Sequence, residues 1–435
     1  MHHGISGMLE NNNENQDITL EQVNEILSTL GLQIQAAFQA KDYQTAQHVI
    51  RQVLEIAPRQ KMAWMDLATA TLRLSEHEQA YEYFQTCIQH MGDQVDTNVY
   101  DGLTETCHEL GKTDEYIHYG RLAISTKKNM VKDEPQQTLP SDFPAPYNPH
   151  NRKENIISYS LFGDSPRYGE TAILNLQLAK DIYPEWTCRF YVDETVPQSV
   201  LQRLEQQGAQ IIQVNEKQKQ ISGLYWRFLV MDDPNVARFL IRDADSFLSY
   251  RERAAVDEWL SSNYWFHKMH DGYSHTELIL AGMWGGCTGV FHHIQAHIEA
   301  FIETGRFTNQ RVMDQHYLRY CIWPTLQQSV LIHDRYGYNS NALDFPIQQQ
   351  KTIYEQNQRF HVGANEASSY VKIFIQHAPA KEITWILKDE QEQEICRYDV
   401  VVNYALNFSV YLPIQYADRI KNEEWLIVTQ PKRES

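Results

Sequence analysis

The chain has 435 residues and a formal charge of −18. That length suffices for two or three domains with separate cores. The acidity excludes a nucleic-acid binder, which needs a basic face to displace counterions, and it makes an anionic membrane surface a poor general partner. No apolar run approaches the ~18 residues of a spanning helix, and the polar opening through Asn13 has no apolar signal core. The six cysteines, Cys87, Cys107, Cys188, Cys287, Cys321 and Cys396, include no Cys-x-x-Cys pair. They read as reduced thiols. Together these features point to a cytoplasmic protein, or one peripheral at the inner membrane.

Residues 1–17 are polar and are expected to be disordered. Between 18 and 131 apolar residues recur at helical spacing. Ala80 lies 34 residues after Ala46, and Trp64, Leu67, Ala68 and Phe84 complete the second copy. A weaker third copy carries Tyr100, Leu103, Gly111 and Ala123. This period and pattern resemble the tetratricopeptide repeat, an all-α solenoid of helix pairs. Such a solenoid implies a protein partner, self-association or an acceptor groove. Residues 132–154 form a linker, where Pro135, Pro140, Pro144, Pro146 and Pro149 forbid continuous helix.

From 155 to 365 strands and helices alternate. Strands are expected at 156–162, 189–192, 210–214, 236–241 and 329–333. Helices are expected at 168–182, 200–207, 224–231, 251–260, 294–304 and 311–321. This order implies a mostly parallel sheet covered on both faces. The last segment, 366–435, shows five strand-like runs without intervening helices and is expected to be a small β-rich domain.

The chemistry centres on Arg242-Asp243-Ala244-Asp245-Ser246. Two carboxylates stand just past the fourth strand, at the edge where open α/β sheets bind ligands. Such a pair can hold a hard divalent cation, which in turn can hold a diphosphate. Arg242, directly before the pair, is placed to hold Asp245 or a bound ligand. Arg227 can clamp a phosphate bidentately. In Gly282-Met283-Trp284-Gly285-Gly286 the glycines permit close backbone approach, and Trp284 offers a flat face to a sugar; Trp284 and Gly285 are therefore candidate acceptor contacts. His293 and His297 lack the glutamate of the zinc-protease motif and read as helix-surface residues.

Several segments resemble successive landmarks of bacterial glycosyltransferases of the GT-A fold. They are Ser160-Leu161-Phe162-Gly163, Tyr183-Pro184-Glu185-Trp186, Trp226-Arg227-Phe228, the acidic pair with Arg251-Glu252, Gly282 to Gly286, Asp314-Gln315 and His333-Asp334. After His267 the chain departs from the pattern, with Lys268-Met269-His270-Asp271 where the family reads Arg-Asp-His. The resemblance implies an α/β GT-A domain and transfer of a sugar from a nucleotide donor, a UDP-sugar favoured, to a polysaccharide, glycan or protein acceptor. It implies that Asp243 and Asp245 bind Mn²⁺ or Mg²⁺, with His333 as third ligand and His361 competing for that place. It further implies that Ser160, Phe162 and Gly163 receive the nucleotide base, and that Asp314 lies near the acceptor hydroxyl. An inverting reaction would use Asp314 as general base; a retaining one would not.

Two other readings stand beside this one. The repeats could make a scaffold whose α/β domain has lost catalysis. A nucleotidyltransferase would also use paired carboxylates, but Gly163-Asp164-Ser165-Pro166-Arg167 is a poor triphosphate loop.

Overall fold

A computed structural model of the protein describes residues 19–307, 312–357, 360–364, 368–375, 381–403 and 406–432. The expected disordered segment 1–17 lies outside them. The chain divides into two compact units, 1–119 and 120–435.

The first unit holds α1 (Leu20–Gln39), α2 (Tyr43–Ile56), α3 (Lys61–Arg73), α4 (His77–Met91), α5 (Thr97–Glu109) and the start of α6 (Thr113–Met130). A capping box starts α1: the Thr19 hydroxyl accepts from the Gln22 amide, and the Gln22 side chain accepts from the Thr19 amide. The second helix of each pair begins at Tyr43, His77 and Thr113. The period is therefore 34 residues and then 36, because α4 and the turn after it are each one residue longer than their counterparts. Ala46 and Ala80 are fully buried, as a close helix approach requires. Gly102 serves the same purpose, since a Cβ there would collide with the Phe84 ring. This is an all-helical repeat region.

The division falls inside α6, after residue 119, where the expected boundary is 131. In the second unit, Gly120 lies flat against Tyr338, where a Cβ would collide with the ring. Arg121 Nε donates to the Gly337 carbonyl at 2.8 Å.

The second unit runs β1 (Asn155–Leu161), α7 (Pro166–Ile182), β2 (Thr187–Val192), α8 (Gln198–Gln206), β3 (Gln210–Gln213), a 3₁₀ stretch (Gly223–Asp232), β4 (Arg238–Ile241), α9 (Tyr250–Leu260), β5 (Phe266–His270), β6 (Trp284–Cys287), α10 (Ile294–Glu303), α11 (Met313–Tyr317), α12 (Trp323–Leu326) and β7 (Val330–Asp334). These strands form one seven-stranded sheet in the order β3-β2-β1-β4-β6-β5-β7. β1, β2, β3 and β4 pair in parallel, β6 runs antiparallel between β4 and β5, and β7 is parallel to β5. The mixed sheet differs from expectation by β5 and β6. Both are short and wholly buried, and their Lys, His and Gly content hides the strand pattern. The helix expected at 311–321 is broken by a π-turn over Leu318–Ile322.

The C-terminal part holds β8 (Ser368–Phe374), β9 (Glu382–Lys388), β10 (Glu394–Val401), β11 (Asn407–Pro413), α13 (Ile414–Lys421) and β12 (Leu426–Pro431). The strands make a three-stranded sheet, β10-β9-β12, and a two-stranded sheet, β11-β8, all antiparallel. Contrary to expectation a helix, α13, intervenes. Among the described residues this segment packs into the core of the sheet: Trp385, Tyr398, Phe408 and Leu412 share one apolar cluster with Ile173, Leu176 and Val200. Glu170 of α7, fully buried, accepts from Arg203 at 2.7 and 2.9 Å and from the Tyr398 hydroxyl at 2.8 Å. Among the described residues no helix is long and apolar enough to cross a membrane.

Candidate functional site

β1 and β4 are neighbouring parallel strands, so their carboxyl ends open side by side. At the end of β1 the Ser160 hydroxyl accepts from the Arg227 amide at 2.9 Å. Phe162 follows, 40% exposed, with its ring edge-on to Trp226 at 5.7 Å. Gly223 makes room for that ring, since a Cβ there would collide with it. Gly163 takes φ +79, a backbone that favours glycine, and its amide donates to the Thr195 hydroxyl at 2.6 Å.

The turn after β4 carries Asp243 and Asp245. Arg227, buried, bridges two carboxylates: Nη1 pairs with Asp243, and Nη2 donates to Asp314 at 2.8 Å. Arg167 Nη2 donates to Asp245 at 2.7 Å. Gly282 borders the turn, and any Cβ there would strike the Asp243 carboxylate. The Asp243 side chain is 37% exposed and that of Asp245 13%. Burial raises the Asp245 carboxyl above the usual range and the neighbouring Asp243 charge adds to this, while Arg167 opposes both. Burial likewise raises Asp314, against the pull of Arg227.

The structure thus brings together Ser160, Phe162, Gly163, Arg227, Asp243, Asp245 and Asp314. Four other expected site residues fall elsewhere. Arg242 turns inward: Nε donates to Glu252 at 3.0 Å, and Nη1 to the carbonyls of Ile241 and Trp284 at 2.8 and 3.1 Å. It locks β4, β6 and α9 together under the acidic turn through Nε and Nη1, while Nη2 is buried without a described hydrogen-bond partner. Trp284 is fully buried, packed on Phe228 and Phe239, because β6 is an interior strand. Gly285 sits in the same strand against the Phe239 carbonyl. Neither is a surface for an acceptor.

His333 is fully buried in β7. One ring nitrogen lies 2.9 Å from His267 and the other 2.8 Å from Glu258 of α9. Both ring nitrogens are engaged, so neither is free to serve as the third metal ligand. His361 sits in a loop tied to the acidic turn, where the Gly363 carbonyl accepts from Ser246 at 3.2 Å. Its ring lies against His275. His297, read as a surface residue, is half-buried against the Tyr317 ring.

Among the described residues no three His, Cys, Asp or Glu side chains converge as a metal cage. The donor set instead suits a hard cation such as Mg²⁺ or Mn²⁺ that takes one or two carboxylates and completes its shell with phosphate oxygens and water. Two like charges crowded at Asp243 and Asp245 fit that pattern.

Sequence reasoning missed Arg167. It stands 78 positions from Asp245, and only the docking of α7 beside β4 joins them. The positively charged second residue of a helix directly after β1 was the available signal.

No protein-family model and no curated protein matches the chain. Solved structures that resemble it include the Arabidopsis OM64 TPR domain (16% identity, 25% of this chain and 87% of that one, TM-score 0.23). A mutant O-GlcNAc transferase of Thermobaculum terrenum aligns at 14% identity over 44% of this chain and 42% of that one, TM-score 0.24. The Sgt2 TPR domain of Aspergillus fumigatus aligns at 16% identity over 28% and 91%, TM-score 0.21. At these scores the likenesses carry no weight for fold or activity, which rest on the site itself.

Proposed function

We propose that the second unit is a cation-dependent glycosyltransferase of the GT-A class. It would take a nucleotide-sugar at the carboxyl ends of β1 and β4 and pass the sugar to a glycan or protein acceptor. The observation that carries this reading is the Asp243–Asp245 turn, flanked by Arg227 and Arg167 and faced by Asp314. Three carboxylates and two guanidinium groups leave the site formally at −1, so a bare diphosphate would be repelled. One divalent cation on Asp243 and Asp245 reverses that sign, and it would stabilise the charge that grows on the departing phosphate.

The chain's own residues supply the rest. Phe162, exposed and backed by the buried Trp226, offers an aromatic face for a base. Arg227 holds Asp243 and Asp314 at a fixed separation. Asp314, with its raised carboxyl, suits a general base. The acceptor oxygen would bond to the anomeric carbon as the carbon–phosphate oxygen bond breaks, its proton passing to Asp314 in an inverting reaction. The helical repeats would bind an acceptor or a partner protein.

The test is a thermal-shift screen of UDP and GDP with and without Mn²⁺. Cation-dependent stabilisation by one of them is expected, because a ligand specific to the folded state raises the melting point. Stabilisation that persists in Asp243→Asn/Asp245→Asn protein would overturn the reading.

A further inference from the structure

Arg167 is the second residue of α7, a 17-residue helix; the only described hydrogen bond of its side chain runs from Nη2 to Asp245 at 2.7 Å, and its guanidinium lies 5.4 Å over the Tyr168 ring. Its Nε is buried without a hydrogen-bond partner. The side chain is nonetheless 23% exposed, so the guanidinium meets solvent on one side and the acidic turn on the other. Ser165 at the N-cap makes no side-chain cap, and a helix of this length carries roughly half a positive charge at its amino end. Arg227 differs in kind. It is buried and holds two carboxylates at once, so releasing it would strand two acids, whereas releasing Arg167 strands one.

We propose that Arg167 is the diphosphate-recognising residue of this site, parked on Asp245 until a cation takes that carboxylate. The proposal rests on the donor-site reading above. A cation on Asp245 repels the adjacent guanidinium and removes its acceptor. The freed guanidinium presents a planar fork that matches two phosphate oxygens, beside the amino end of α7, which favours the same anion. Arg167 and the cation therefore compete for Asp245 in the absence of nucleotide and cooperate in its presence.

This predicts effects of opposite sign from one substitution. In the full-length protein, Arg167→Gln is expected to bind Mn²⁺ alone a few-fold more tightly, by calorimetry or by the free-Mn²⁺ paramagnetic resonance signal. With Mn²⁺ present it is expected to bind UDP or GDP on the order of 10- to 100-fold more weakly, and the parent nucleoside unchanged. Arg167→Lys, which keeps the charge and loses the fork, should fall between, and it serves if the Gln protein does not fold. Wild-type diphosphate affinity in Arg167→Gln would overturn the proposal. So would a parallel loss of Mn²⁺ and diphosphate binding, which would mean that Arg167 merely orders Asp245. Wild-type protein that binds neither diphosphate with Mn²⁺ would remove the donor-site reading itself, and this proposal with it.

Discussion

The carboxyl end of β4 and the adjacent strands β5 and β7 both carry ionisable residues, and the fold treats them in opposite ways. Past β4, Asp243 keeps more than a third of its side chain in solvent, and two arginines from other elements approach the turn without closing it. On β5 and β7, His267, Lys268, His270 and His333 are all fully buried. Most of their polar atoms are answered from within, His267 Nδ1 excepted: His333 meets His267 and Glu258, and Lys268 donates to the Leu278 carbonyl at 2.7 Å. His270 is answered by Asn339 at 3.1 Å. In sequence Asp243 and His333 both stand at the polar end of an apolar run. The difference is access: a buried polar group must be satisfied by its neighbours, and once satisfied it has little left for a ligand.

Substitutions can break or sharpen this contrast. The largest effect is expected at Arg242, where Arg242→Ala would leave Glu252 as an uncompensated buried charge and cost about 3–5 kcal/mol of stability, read by urea unfolding. A loss of diphosphate binding without a loss of stability would instead restore Arg242 to the site. Asp245→Asn should leave the fold intact and weaken Mn²⁺-dependent diphosphate binding by roughly 100-fold, about 2.7 kcal/mol, measured by calorimetry. His333→Ala should do the reverse, costing about 1–3 kcal/mol by leaving buried partners unsatisfied while diphosphate affinity stays within about twofold.

The pH dependence gives a subtler test. Burial lowers the Lys268 amine to about 7, far below its value in an unfolded chain. Between about 7 and the usual lysine range the unfolded chain binds the extra proton. Stability should therefore rise with pH through that window, and the penalty should be complete below it. Lys268→Met should flatten that slope, as followed by melting temperature at several pH values. The smallest effect is expected at Phe162→Ala, roughly tenfold in nucleoside affinity with no change in cation binding.

Much of the architecture was written in local pattern. The 34-residue repetition of Ala46 and Ala80 marks paired helices, because only a small residue fits where two helices touch. The alternation of apolar runs from Asn155 marks the parallel strands β1 to β4, and the acidic pair falls just past the carboxyl end of β4. Chain-local chemistry determines these features, so they can be read in order. What the sequence left undecided was everything set by contacts across the chain. Gly285 and Gly286 read as glycines that let a ligand come close but lie in an interior strand, where a neighbouring backbone and rings crowd in instead. Trp284 and His333 are residue types that serve sites elsewhere, and here their strands turn them into the core. Arg167 reaches Asp245 only through the docking of α7. Tertiary structure alone decides which polar groups are spent on one another and which remain free to act, because that choice depends on neighbours far away in sequence.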